Sequence, residues 1–156
     1  MFVLHYSVNP YPFPQQLREV AGLMELIHLN QKEWNCDVSS ITIMGFSAGG
    51  HLAAQYSNRY DCQEIREIFS DSRPVHKPVL AYPVITADER YTNAFTRYNY
   101  LGYEPEEKEN TGFSCEMLVT EKNATDIYMA YSGRSSCSSG KQSPLCKKVI
   151  PTWSTI

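Results

Sequence analysis

The chain has 156 residues, 42% of them hydrophobic and 20% charged, with a net charge of −3 at pH 7 and a pI near 5.8. That size and balance suit one soluble globular unit and leave no basic footprint for nucleic acid or an anionic membrane surface. Nothing approaches the roughly 18 uninterrupted apolar residues of a membrane span, and Met1-Phe2-Val3-Leu4 has neither the basic region nor the length of a signal peptide, so a cytoplasmic location is the expectation.

Phe2 to Tyr6 is a short apolar run closed by the turn-forming Asn9-Pro10-Tyr11-Pro12, the pattern of a buried strand. After Pro14, apolar residues recur at Leu17, Val20, Met24 and Ile27, which predicts a helix with one buried stripe, ending around Trp34-Asn35. Ile41-Thr42-Ile43-Met44 is a β-branched run of central-strand length. A second helix is expected from Ala48 to about Tyr60, then a polar loop through Asp71 and Pro74. Val79 to Tyr82 reads as a third strand, stopped by Pro83. Strand–helix–strand–helix–strand implies parallel strands with right-handed crossovers and an α/β fold. The five cysteines (Cys36, Cys62, Cys115, Cys137, Cys146) are odd in number and show no CxxC spacing. Neither a disulfide framework nor a zinc site is indicated, and no cofactor is called for.

The chemistry is expected at the end of the second strand. Gly45-Phe46-Ser47-Ala48-Gly49 is a G-x-S-x-G lying between a strand and an Ala-rich helix. A serine perched on so sharp a turn sits in strained backbone, and side chains two residues to either side are expected to collide with the turn, hence Gly45 and Gly49. The turn lifts the Ser47 hydroxyl as a nucleophile. The helix N-terminus favours a developing oxyanion, with the Ala48 N–H as one oxyanion-hole donor. The competing reading is an ordinary Gly-rich turn, which the placement between strand and helix disfavours.

At these residues the chain resembles a family. Gly45 to Ala53, GFSAGGHLA, is similar to the elbow of bacterial esterases of the acetyl-esterase and acetylxylan-esterase type, near the hormone-sensitive-lipase group. The likeness extends over about residues 2–122, through Tyr6-Ser7-Val8-Asn9-Pro10, Trp34-Asn35 with Asp37, Tyr82-Pro83-Val84-Ile85 and Ser114-Cys115-Glu116. It implies a serine hydrolase acting on a small-molecule acyl ester, chiefly acetyl, through an acyl-enzyme at Ser47. It also implies a triad in the order Ser, Asp, His and an HGGG-type oxyanion loop before the elbow. That loop is absent from this sequence. So is the strand that, in the family's sheet, lies between the strands at Phe2–Tyr6 and Ile41–Met44, which leaves a vacant slot with unpaired edges.

No histidine fits the triad. His51 lies one helical turn below Ser47, where the family also has histidine, and a packing role is expected. His5 ends a strand, His28 sits on a solvated helix face, and His76 precedes any triad acid. Asp88 and Asp126 follow the elbow, but neither has a histidine after it. From Asn123 the likeness stops, and Ser132 to Ser143 reads as a polar linker. A shift of one nucleotide restores it. Permitted codons then let the residues after Lys122 read as a further core strand, an acid-bearing loop containing HTADE, and a helix. The expectation is a partial α/β-hydrolase domain over residues 1–122, with an irregular or frameshift-derived tail over 123–156. On that reading the chain is inactive by itself. Two alternatives stay open: a non-catalytic remnant, and a related hydrolase such as a peptidase or xylan deacetylase.

Overall fold

The computed structural model describes residues 1–8, 10–120 and 127–130. Its centre is a parallel sheet of three strands, β1 (Met44–Phe46), β2 (Val79–Ala81) and β3 (Tyr128–Ala130), in that spatial order. Gly45 stands opposite Leu80, and Leu80 opposite Met129. Six helices accompany the sheet among the described residues: α1 (Gln15–Leu29), α2 (Ala48–Arg59), α3 (Gln63–Arg66), α4 (Ala94–Leu101), α5 (Glu107–Phe113) and α6 (Cys115–Leu118). None is long and apolar enough to cross a membrane.

The middle helix organises the rest. Every residue of α2 from Gly50 to Ser57 is buried, because α1 covers one side and the α5–α6 segment the other. The α1 stripe of Leu17, Val20, Ala21 and Met24 packs on Leu52 and Tyr56 of α2 and on Ile65 of α3. Each large aliphatic side chain so buried contributes about 1.5–3 kcal/mol. On the other side of α2, Ala53 and Ala54 lie against Leu80 and Cys115, with Ile127 and Met129 at the margin. Small residues there let the helix approach the sheet closely. Gln55, fully buried on the same helix, donates from Nε2 to the Gly112 and Phe113 carbonyls at 2.9 and 2.8 Å, while its Oε1 has no partner among the described residues. The Nε2 bonds also close the end of α5 onto α2.

Several sequence expectations are corrected. Phe2–Tyr6 is not a strand. It has no ladder partner among the described residues, and side chains hold it instead: Phe2 meets Trp34 at 5.2 Å between ring centroids, Leu4 and Tyr6 pack on the α1–α2 cluster, and Ser7 donates from its N–H and hydroxyl to the Glu19 carboxylate at 2.7 and 2.6 Å. β1 begins at Met44 rather than Ile41, although the Ile41 and Ile43 carbonyls already accept from the N–H groups of His76 and Val79, both at 2.8 Å. Among the described residues β1 has a strand neighbour on the β2 side alone. α1 stops at Leu29 because the Asn30 N–H and side-chain amide both turn back to the Leu26 carbonyl, at 3.0 and 2.8 Å. The turn beyond it closes at Asn35, which lies at φ 48°. Within the segment expected to be irregular, Tyr128–Ala130 forms β3, and Met129 together with Ile127 just before the strand gains apolar neighbours around Leu80; residues 121–126 and 131–156 lie outside the described residues.

Candidate active site

The elbow is built by contacts that leave Ser47 little freedom. Ser47 sits between β1 and α2 at φ 50°, ψ −114°, a strained conformation for any residue with a Cβ. Three backbone bonds hold it there. Its N–H donates to the Ala81 carbonyl at 3.0 Å, and its carbonyl accepts from the N–H groups of His51 at 3.0 Å and Val84 at 3.3 Å. Ala48 opens α2, so its N–H has no intrahelical acceptor and stands at the positive end of the helix. The turn after β2 is strained as well, with Tyr82 at φ 37°, a feature that nothing in the local sequence announces.

The glycines divide differently from the expectation. A Cβ on Gly45 would stand 2.1 Å from the Gly49 carbonyl oxygen, deep inside van der Waals contact with backbone. A Cβ on Gly50 would meet Pro83 Cβ at 2.9 Å and the Gly45 carbonyl oxygen at 3.1 Å. At Gly49 the nearest atom would be the Tyr6 hydroxyl at 3.8 Å, so the steric need assigned to Gly49 falls on Gly50. The expected result follows. Gly45→Ala should lose about 1–3 kcal/mol or more, whereas Gly49→Ala should stay within about 1 kcal/mol, helped by the better helix former. Urea midpoints of the two variants check this, and equal losses would contradict it.

His51 does not face the Ser47 hydroxyl as a base. Its ring is buried, stacked on Phe113 at 4.0 Å and edge-on to Tyr100 at 5.0 Å, and its Nδ1–H donates to the Val84 carbonyl at 2.9 Å. Burial pulls its pKa from 6.5 down to about 4, against the smaller opposing effect of the Val84 bond. It therefore ties α2 to the strained turn after β2. His5 and His76 are exposed, and His28 bonds through Nδ1 to the Met24 carbonyl in its own helix at 2.8 Å. Asp88 is engaged by Arg90, whose guanidinium donates to both carboxylate oxygens and holds the carboxyl down at about 2. Asp126 lies outside the described residues. Among the described residues the Ser47 hydroxyl has no hydrogen bond to a histidine or carboxylate, and no cluster of His, Cys, Asp and Glu could hold a metal. Cys36, Cys62 and Cys115 are free thiols; burial pushes the Cys115 thiol far up and leaves it unreactive.

Beside the elbow opens a cleft of about 490 Å³ including its open mouth, between Ala48 and His51 of α2, Gln16 of α1 and Phe95, Asn99 and Tyr100 of α4. Sequence reasoning missed it, because its walls come from elements far apart in the chain.

The parallel sheet, the strained serine and the helix starting at the next residue coincide with a family profile described as alpha/beta hydrolase fold, matched over residues 2–146. The chain belongs to the α/β-hydrolase esterase family. It is 33% identical over 127 residues to an endo-1,4-beta-xylanase B of Butyrivibrio fibrisolvens, covering 77% of this chain and 20% of that protein. It is also 33% identical over 103 residues to an acetylxylan esterase of Xylanibacter ruminicola, covering 66% and 20%. Among solved hydrolases, the acetyl ester-xyloside bifunctional hydrolase of Caldicellulosiruptor lactoaceticus superposes with a TM-score of 0.71 at 27% identity, over 82% of this chain and 47% of that one. A lipase/esterase from Lactobacillus plantarum shares the fold at a TM-score of 0.64 and 19% identity, over 88% and 54%. The chain thus spans about a fifth of those two sequence relatives and about half of these two solved hydrolases.

Proposed function

We propose that this chain is the nucleophile-bearing part of a serine esterase that hydrolyses small acyl esters, acetyl above all, by way of an acyl-enzyme at Ser47. The observation that carries the reading is the elbow. A serine held at φ 50° between a strand and a helix is costly to maintain, and a Gly45 that admits no Cβ makes the turn possible. Such strain is worth keeping where it presents a hydroxyl to a substrate. The Ala48 N–H would then be one donor to the tetrahedral oxyanion, aided by α2 behind it. The acetyl preference is supported by relatives whose names include an acetylxylan esterase and an acetyl ester-xyloside hydrolase. No metal or cofactor enters this mechanism.

The unpartnered Ser47 hydroxyl favours a second reading, in which the described residues alone form a poor catalyst. The two readings share one test. Release of p-nitrophenolate from p-nitrophenyl acetate should exceed that of Ser47→Ala by a small, reproducible margin and should fall with longer acyl chains. Equal release by the two proteins would overturn the assignment of Ser47.

A further inference from the structure

Ser47, His51 and Val84 form a closed triangle of hydrogen bonds. The Ser47 carbonyl takes the N–H groups of His51 at 3.0 Å and of Val84 at 3.3 Å, and His51 Nδ1 lies 2.9 Å from the Val84 carbonyl. A carbonyl oxygen can only accept, so the proton of the neutral ring sits on Nδ1 and His51 is the donor. The Cys115 sulfur, 3.6 Å from the same nitrogen, is the weaker and more distant neighbour. Val84 is thus held through both of its backbone groups, its N–H by the nucleophile's carbonyl and its C=O by an imidazole one helical turn further on.

The turn that Val84 ends has reason to need those bonds. It begins at Ala81, whose carbonyl takes the Ser47 N–H at 3.0 Å, and runs through Tyr82 at φ 37°, a conformation costly for a residue with a Cβ. Pro83, which follows, has no N–H to offer. Pro83 also presses on the first turn of α2, where a Cβ on Gly50 would come within 2.9 Å of it. A strained turn, short of donors and pushed against a helix, keeps its place only while both ends are tied. Ser47 ties the Ala81 end. At the Val84 end Ser47 shares the load with His51, whose ring is fixed in turn by Phe113 stacked at 4.0 Å and Tyr100 edge-on at 5.0 Å. Without the imidazole bond, the strain of the turn bears on the Ser47 carbonyl alone, and so on the backbone angle that aims the hydroxyl. A core-filling role for His51 needs a flat ring and no donor; the bond to Val84 needs the donor.

We propose that His51 is a positioning residue for Ser47: its Nδ1–H fixes Val84, and Val84 fixes the Ser47 carbonyl and with it the direction of the hydroxyl. The proposal rests on the esterase reading in one respect, that Ser47 is the nucleophile being aimed.

Variants of the full chain separate the bond from the ring. His51→Asn carries an amide N–H near the place of Nδ1 and lacks the ring. His51→Phe keeps a ring beside Phe113 and Tyr100 and lacks the donor, and His51→Leu, smaller and equally without a donor, repeats it should the phenyl ring not be accommodated. Leu17→Ala, in the α1 stripe on the other side of α2, is the control for lost stability. Each is read at a temperature where melting curves show it folded, by the rate of fluorophosphonate labelling at Ser47 and by amide exchange at Val84. A displacement of the hydroxyl by about 1 Å can slow its reaction about 100-fold. Labelling about 10- to 100-fold slower in His51→Phe or His51→Leu is therefore expected, with faster exchange at Val84, whereas His51→Asn and Leu17→Ala stay within about threefold of wild type. Wild-type labelling in both donorless variants, or equal slowing in His51→Asn or Leu17→Ala, would overturn the proposal and leave His51 as core packing. If wild type itself is not labelled at Ser47, it is the esterase reading that fails. Val84 exchange then decides the clamp alone: protection lost without the donor and kept in His51→Asn supports it, and equal protection overturns it.

Discussion

Acidification from pH 6.5 to about 4 should cost the fold about 3 kcal/mol through His51 alone. In the unfolded chain the imidazole protonates near 6.5, whereas the buried ring resists until about 4. Between those values the unfolded state binds more protons, so stability falls as pH falls and levels off once both states are protonated. The gap is about two and a half pKa units at about 1.4 kcal/mol each. The structural reason is specific. A charged imidazole would sit between the Phe113 and Tyr100 rings beside the Cys115 thiol, with a single carbonyl, that of Val84, to stabilise it. His51→Gln removes the titration. Carboxylates such as Asp88 titrate in both proteins, so the difference between wild type and variant isolates the imidazole. Urea midpoints at pH 7.5, 6, 5 and 4 should show that difference shrinking or reversing towards acid. A difference that stays constant with pH would contradict the assignment.

What could be read from the sequence was whatever the chain encodes locally. The 3.6-residue stripe from Leu17 to Ile27 marks α1, and each of its apolar members is buried. The G-x-S-x-G marks the turn, since a strained serine flanked by small residues needs no distant partner to be recognised. Val79 to Ala81 is an apolar run just before a proline and is β2. Strand formation itself is not local. Phe2–Tyr6 is as apolar as a strand but finds no ladder among the described residues, while Tyr128 to Ala130 becomes β3 because β2 offers it an edge. The glycine whose Cβ strikes Pro83 is Gly50, and only the approach of the turn after β2 distinguishes it from Gly49. The short helix α5 announces itself through a reciprocal cap between Glu106 and Glu109, a signal present in the sequence but easily lost among charged residues. Nor does any pattern reveal that Gln16, His51 and Tyr100 share one cleft.

The slow chemistry expected at Ser47 is the largest effect of all. A serine hydroxyl without an imidazole keeps the reactivity of an ordinary alcohol, and losing a member of the triad costs about 10⁴- to 10⁶-fold in rate. Elbow strain and the α2 dipole place the hydroxyl and favour negative charge near it, but neither removes its proton. Location and rate are therefore separable: the reagent should still find Ser47 before any other serine, only slowly. His76 and His5, both exposed, are the residues to substitute if the rate proves high. The most direct measurement is the time course of labelling by a fluorophosphonate, mapped by peptide mass spectrometry in wild type and Ser47→Ala and timed against a complete family esterase. Labelling confined to Ser47, absent in Ser47→Ala and slower by at least about 10⁴-fold than in the complete enzyme, is the predicted result. Labelling spread over other serines, or labelling of Ser47 as fast as in the complete enzyme, would contradict it.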